Sequence, residues 1–83
     1  MTVNADGTVR VSGGKGSATP DALVVVDNVS IHDSCSTCNS AGAEHAAKDG
    51  SWQVTLPGKS GDQLEVLQWV GTETSSPADI IVP

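Results

Sequence analysis

Apolar and polar residues alternate with a period of two along most of the chain. The first such run is Thr8-Val9-Arg10-Val11-Ser12, opened by Asp6-Gly7 and closed by Gly13-Gly14. Ala22-Leu23-Val24-Val25-Val26-Asp27, bounded by Pro20-Asp21 and Asn28, is the strongest strand signal and predicts a central strand. Trp52-Gln53-Val54-Thr55-Leu56 alternates strictly and stops at Pro57-Gly58. Gln63 to Val70 follows the turn Ser60-Gly61-Asp62, and Ala78 to Val82 follows the turn-rich stretch Gly71 to Pro77. Asn28 to Lys48 is less regular. There Val29 and Ile31 predict the start of a strand, and Asp33 to Ser40 reads as a loop. Ala43 to Lys48 favours a helical turn by propensity, but the Asp-Gly pair of Lys48-Asp49-Gly50-Ser51 signals a hairpin and needs a strand on each side. The pattern therefore predicts an all-β fold of six or seven short strands with no convincing helix, forming one domain over residues 1–83. Every connection is too short for a crossover helix, so the sheets should be antiparallel.

Composition agrees and narrows the partners. Eighteen residues are Ile, Leu or Val and eleven of these are Val, set among nine Gly, ten Ser and seven Thr. Four Lys+Arg against ten Asp+Glu give a net charge of -6. Arg10, Lys15, Lys48 and Lys59 form no basic tract, which argues against nucleic acid and anionic membrane as partners. No stretch approaches the roughly 20 apolar residues that span a bilayer. Met1-Thr2-Val3-Asn4 reads equally as a native start or as an initiator on a segment of a longer chain.

Several segments, in this order and at this spacing, resemble the bacterial immunoglobulin-like (Big-type) modules that occur as tandem repeats in large secreted and surface proteins. Gly16-Ser17-Ala18-Thr19-Pro20-Asp21-Ala22-Leu23-Val24-Val25-Val26 is similar to the family's entry into its second strand. Lys48-Asp49-Gly50-Ser51-Trp52-Gln53-Val54-Thr55-Leu56-Pro57 looks like its hairpin and fifth strand, and Gly61-Asp62-Gln63-Leu64-Glu65-Val66 like the start of its sixth. Ser75-Ser76-Pro77 with Ala78 to Val82 looks like the exit into the last. The resemblance implies an immunoglobulin-like antiparallel β-sandwich with Ala22, Val24, Val26, Trp52, Val54, Leu56, Leu64, Val66, Ile80 and Val82 pointing inward, the set that alternation selects independently. The longer, polar segment Asn28 to Ala47 departs from the family pattern.

The resemblance further implies a non-catalytic spacer or adhesive module, extracellular or at the cell surface, whose partners are neighbouring modules or a second copy. If the strands pair as in that family, Leu67, Trp69 and Ile81 share an outer face as one apolar interface. A one-residue slip would invert the faces and bury Trp69. Leu23 and Val25 also point outward by alternation, as expected of a covered, Val-rich central strand.

Every Cys and His falls within fourteen residues: His32, Cys35, Cys38 and His45. Three readings compete. A short-loop Cys35–Cys38 disulfide suits an exported protein. A Cys2His2 clip for zinc or copper suits the side-chain types, though the His32-to-Cys35 spacing matches no standard finger. A redox-active Cys-x-x-Cys needs a βαβ context that is missing. The disulfide is preferred, and no cofactor is expected. The carboxylates Asp6, Asp21, Asp27, Asp33, Asp49, Asp62 and Asp79 mostly read as turn residues, and none forms a calcium loop. Gly13-Gly14-Lys15-Gly16-Ser17 lacks phosphate-loop spacing, and no Ser sits in a nucleophile elbow, so no catalytic residue is assigned. Three other readings stay open: a fibre subunit that packs or shares edge strands, a carbohydrate-binding module using Trp69, and a small Cys/His metal protein.

Overall fold

The computed structural model describes all 83 residues. Its strands are β1 (Thr2–Val3), β2 (Thr8–Gly13), β3 (Leu23–Asn28), β4 (Ala41–His45), β5 (Trp52–Pro57), β6 (Gln63–Val70), β7 (Glu73–Thr74) and β8 (Ala78–Ile81), with one short helix, α1 (Val29–Ser34). Two antiparallel sheets pack face to face as a β-sandwich. One has the order β1-β2-β5. In the other, β4-β3-β6, strand β6 is followed along its free edge first by β7 and then by β8.

Alternation explains both layers. Val9 and Val11 of β2 lie opposite Leu56 and Val54 of β5, and all four are buried. From the other sheet Val24, Val26 and Leu64 enter the same core, with Ala46 and Val82 closing its ends and Trp52, Val66 and Ile80 packed at its margin. Of the ten residues expected to point inward, seven are buried and those last three are partly buried. A fully buried Leu or Val contributes about 1.5–3 kcal/mol, so positions such as Leu56 and Leu64 carry much of the stability of so small a domain.

Asp6-Gly7-Thr8 and Asp49-Gly50-Ser51 are the same device used twice, each launching one member of the β2–β5 pair. Asp6 accepts from the backbone N–H and hydroxyl of Thr8, and Asp49 accepts from those of Ser51. These bonds hold both carboxyls below the usual range, the hydroxyl bond contributing most in each case. Gly50, with φ +83°, has its would-be Cβ position 2.5 Å from the carbonyl oxygen of Ala18, so only glycine fits where this turn meets the Gly16–Ala18 loop.

Two local expectations fail. Val29 and Ile31 do not begin a strand. Asn28 caps α1 instead, its Oδ1 accepting from the Ile31 N–H at 3.0 Å, and the capped turn outweighs β-branched propensity. The Asp49-Gly50 turn does form, but it does not join a hairpin. Strand β4 pairs with β3, with His45 opposite Leu23, while β5 pairs with β2, so the turn carries the chain from one sheet to the other. Ala47 and Ser51 remain bonded across the turn, so its local chemistry is intact although the flanking strands diverge.

One end of the sandwich holds a buried polar knot. Asn28 is fully buried. Its Nδ2 donates to the Pro57 carbonyl at 3.1 Å and to Asp62 Oδ2 at 2.9 Å. Asp62 Oδ2 also accepts from the Lys59 N–H at 3.0 Å, and Asp62 and Val82 are tied through the backbone. No buried side-chain N or O atom is left without a partner, so the knot joins α1, the β5–β6 loop and the C-terminal strand without an unpaired group.

Candidate functional site

The outer face of the β4-β3-β6 sheet is the candidate site, and strand register defines it. In an in-register antiparallel pair, directly opposed residues share a face. Three rows result. Across one end lie His45, Leu23, Trp69 and Thr74; across the middle lie Ala43, Val25 and Leu67; beyond these lie Ala41, Asp27, Glu65 and Asp79. Successive rows are about 7 Å apart.

The first two rows form an apolar band. Leu23, Val25 and Leu67 are half-buried, and Trp69 remains 42% exposed. Asp21, Leu23, His45, Trp69 and Gly71 line a shallow hollow at the end of the band. Asp21 is the one non-glycine residue with positive φ, at 64°, and its carbonyl oxygen lies 3.3 Å from His45 Nδ1. The left-handed backbone at Asp21 thus turns the β2–β3 connection toward the ring of His45.

The expected interface of Leu67, Trp69 and Ile81 is divided. Leu67 and Trp69 lie in the apolar band. Ile81, 61% exposed, is on the same face but opposite Gln63, on the far side of the Glu65–Asp79 row. Register brings Leu23 and Val25 to Leu67 and Trp69 instead. Alternation placed those two residues outward, but only pairing shows which strand they lie beside.

The acidic row was not foreseen. Asp27 and Asp79 lie in strands where the alternating runs place them, and only strand pairing sets both opposite Glu65, one from either side. The Ser40 hydroxyl donates to Asp27 Oδ1 at 3.0 Å. No strand of this sheet carries a Lys or Arg, whereas Asp27, Glu44, Glu65, Glu73 and Asp79 all lie on them.

The Cys/His candidates do not converge. Cys35 and Cys38 are bonded to each other as a disulfide just beyond α1. His32 is exposed on α1, and His45 is on β4 beside Asp21. No three His, Cys, Asp or Glu side chains gather as metal ligands, so the residues present do not fit a zinc or copper clip.

Comparison with protein-family models, with curated proteins and with solved structures found no match. The functional reading therefore rests on the geometry of this face. What the face can do chemically is to offer a rigid apolar platform with one aromatic anchor and a carboxylate border. No helix is long and apolar enough to cross a membrane.

Proposed function

We propose that this chain is a non-catalytic β-sandwich module of an extracellular or cell-surface protein, one that works by associating with another protein through the outer face of its β4-β3-β6 sheet. The observation that carries this reading is the contiguous band of Leu23, Val25, Leu67 and the exposed Trp69 on paired strands. A half-exposed Trp on a rigid apolar surface is the usual anchor of a protein interface. The Cys35–Cys38 disulfide supports an oxidising compartment. The resemblance to bacterial immunoglobulin-like repeat modules supports a spacer or adhesive role within a larger assembly.

The test compares wild type with Trp69→Ala and Leu67→Ser, after circular dichroism and melting have shown that the fold persists. Association, read by sedimentation velocity and by binding to a tandem neighbour module, should weaken about tenfold or more when the anchor is lost. Full association by a folded Trp69→Ala protein would remove this face from the function. The hollow formed by Trp69, His45 and Asp21 supports a second reading, a carbohydrate site with the indole as stacking platform. Quenching of Trp69 fluorescence by soluble saccharide at millimolar concentration would favour it.

A further inference from the structure

We infer that the occupant of this face is a cationic, amphipathic segment of another protein, whose apolar side chains cover the Leu23–Trp69 band while its Lys or Arg side chains meet Asp27, Glu65 and Asp79. The inference rests on the face being an association surface, and it goes further in stating the partner's chemistry.

Two observations carry it. The first is an arrangement that works against the free protein. Asp27, Glu65 and Asp79 stand directly opposite one another across three neighbouring strands, about 4.8 Å from strand to strand. Like charges in that relation are destabilising. A lysine at any neighbouring position would relieve them, yet none of the strands β3, β4, β6, β7 and β8 carries one. Arg10, Lys15, Lys48 and Lys59 all lie on the other sheet or in loops. The second observation is position: the acidic row borders the apolar band one pleat repeat away, about 7 Å. That distance is close to one helical turn, about 5.4 Å, or to two residues of a strand. One face of an amphipathic segment can therefore seat apolar groups on Leu67 and Trp69 while a neighbouring cation reaches Glu65.

The same features discriminate among occupants. A second copy presenting this face would add three more carboxylates and no Lys or Arg. A neutral saccharide would use the Trp69 hollow and leave the acidic row without a role. An anionic membrane would be repelled by that row. A basic partner satisfies both the apolar and the charged part of the face, and would be steered toward it at low ionic strength.

The test uses the intact protein and a synthetic helical peptide of Leu and Lys, roughly 18 residues long, with Leu at i, i+3, i+4 and i+7. Two counterparts accompany it, one with Glu in place of Lys and one with Ser in place of Leu. Binding is followed by Trp fluorescence and by calorimetry in 10 mM and in 1 M NaCl, where the screening length falls from about 30 Å to about 3 Å. The Leu/Lys peptide alone should bind, and more weakly in high salt. Glu65→Gln should weaken it about two- to fivefold, Trp69→Ala about tenfold, and Asp33→Asn, which removes one charge on α1, not at all.

Equal losses from Glu65→Gln and Asp33→Asn would reduce the effect to net charge and overturn the inference. So would association that depends on Trp69 yet ignores Glu65 and salt, whether with a second copy, with saccharide or with the Glu peptide; that result would leave the association face standing. Peptide binding indifferent to Trp69→Ala would instead overturn the association face itself.

Discussion

Replacing Asn28 by Asp separates two jobs done by one side chain. Aspartate caps a helix as well as asparagine does, so the bond to the Ile31 N–H survives. What changes is the other side of the group. The Nδ2 that donates to Asp62 Oδ2 at 2.9 Å and to the Pro57 carbonyl at 3.1 Å becomes an oxygen facing two acceptors. A hydrogen bond to a charged group, worth about 1.5–3 kcal/mol, is lost, and the Pro57 carbonyl loses its side-chain donor at a further cost of about 1 kcal/mol or more. Two carboxylates about 4 Å apart add a repulsion of up to about 4 kcal/mol in a partly screened site, which proton uptake partly relieves. We expect Asn28→Asp to cost about 3–5 kcal/mol at pH 7, against a total of about 4–12 kcal/mol for a chain of this length. The two carboxyl groups would share a proton in the folded mutant, so its apparent pKa is raised. The deficit should therefore shrink as pH falls toward 5 and be complete above neutrality. Urea unfolding of wild type and mutant at pH 5 and pH 7.5 measures both effects. Asp62→Asn placed on Asn28→Asp should restore part of the loss by supplying the donor from the other side. A mutant within about 0.5 kcal/mol of wild type at both pH values, measured with an unchanged denaturant slope, would refute the account of the knot.

The acidic row should make Glu65→Gln more stable than wild type by about 0.2–1 kcal/mol in low salt, a gain that fades as salt screens the row; thermal melts across a salt series measure it. Reduction of the Cys35–Cys38 disulfide, which closes a loop of only four residues, should lower stability by about 2 kcal/mol or less and leave the far-ultraviolet spectrum unchanged, as checked by melting with and without reductant. The folded pKa values of Asp6 and Asp49 lie below 3.8, so their contribution is present above that value and is lost as pH falls through the lowered folded pKa. Asp6→Asn and Asp49→Asn should accordingly flatten the acid limb of the stability profile, as read from melts between pH 2 and pH 5.

Much of the fold was legible because alternation is a local property. Val9, Val11, Val54 and Leu56 announce their face to anyone counting by twos, and Asp-Gly followed by Thr or Ser marks the start of β2 and of β5. The segment from Asn28 to His45 was less readable for an equally physical reason. There a single cap at Asn28 decides between strand and helix, and Gly42 in β4 shows how close the packing is: a Cβ there would come 2.8 Å from the Thr55 carbonyl oxygen. That approach belongs to β5, a strand of the other sheet, and nothing near Gly42 in the chain reports it.

The candidate site divides along the same line. The outward placement of Leu67 and Trp69 follows from their parity in one strand, and that of Leu23 and Val25 from theirs. That the four form one band, that Ile81 lies outside it, and that Asp27, Glu65 and Asp79 stand abreast are facts of register between separate strands, β3 with β6 and β6 with β8. Sequence by itself determined which residues of each strand share a face, because that depends on a period of two within a few residues. Tertiary structure alone decided which exposed residues are neighbours, because hydrogen-bonded pairing slides one strand against another until both buried faces match.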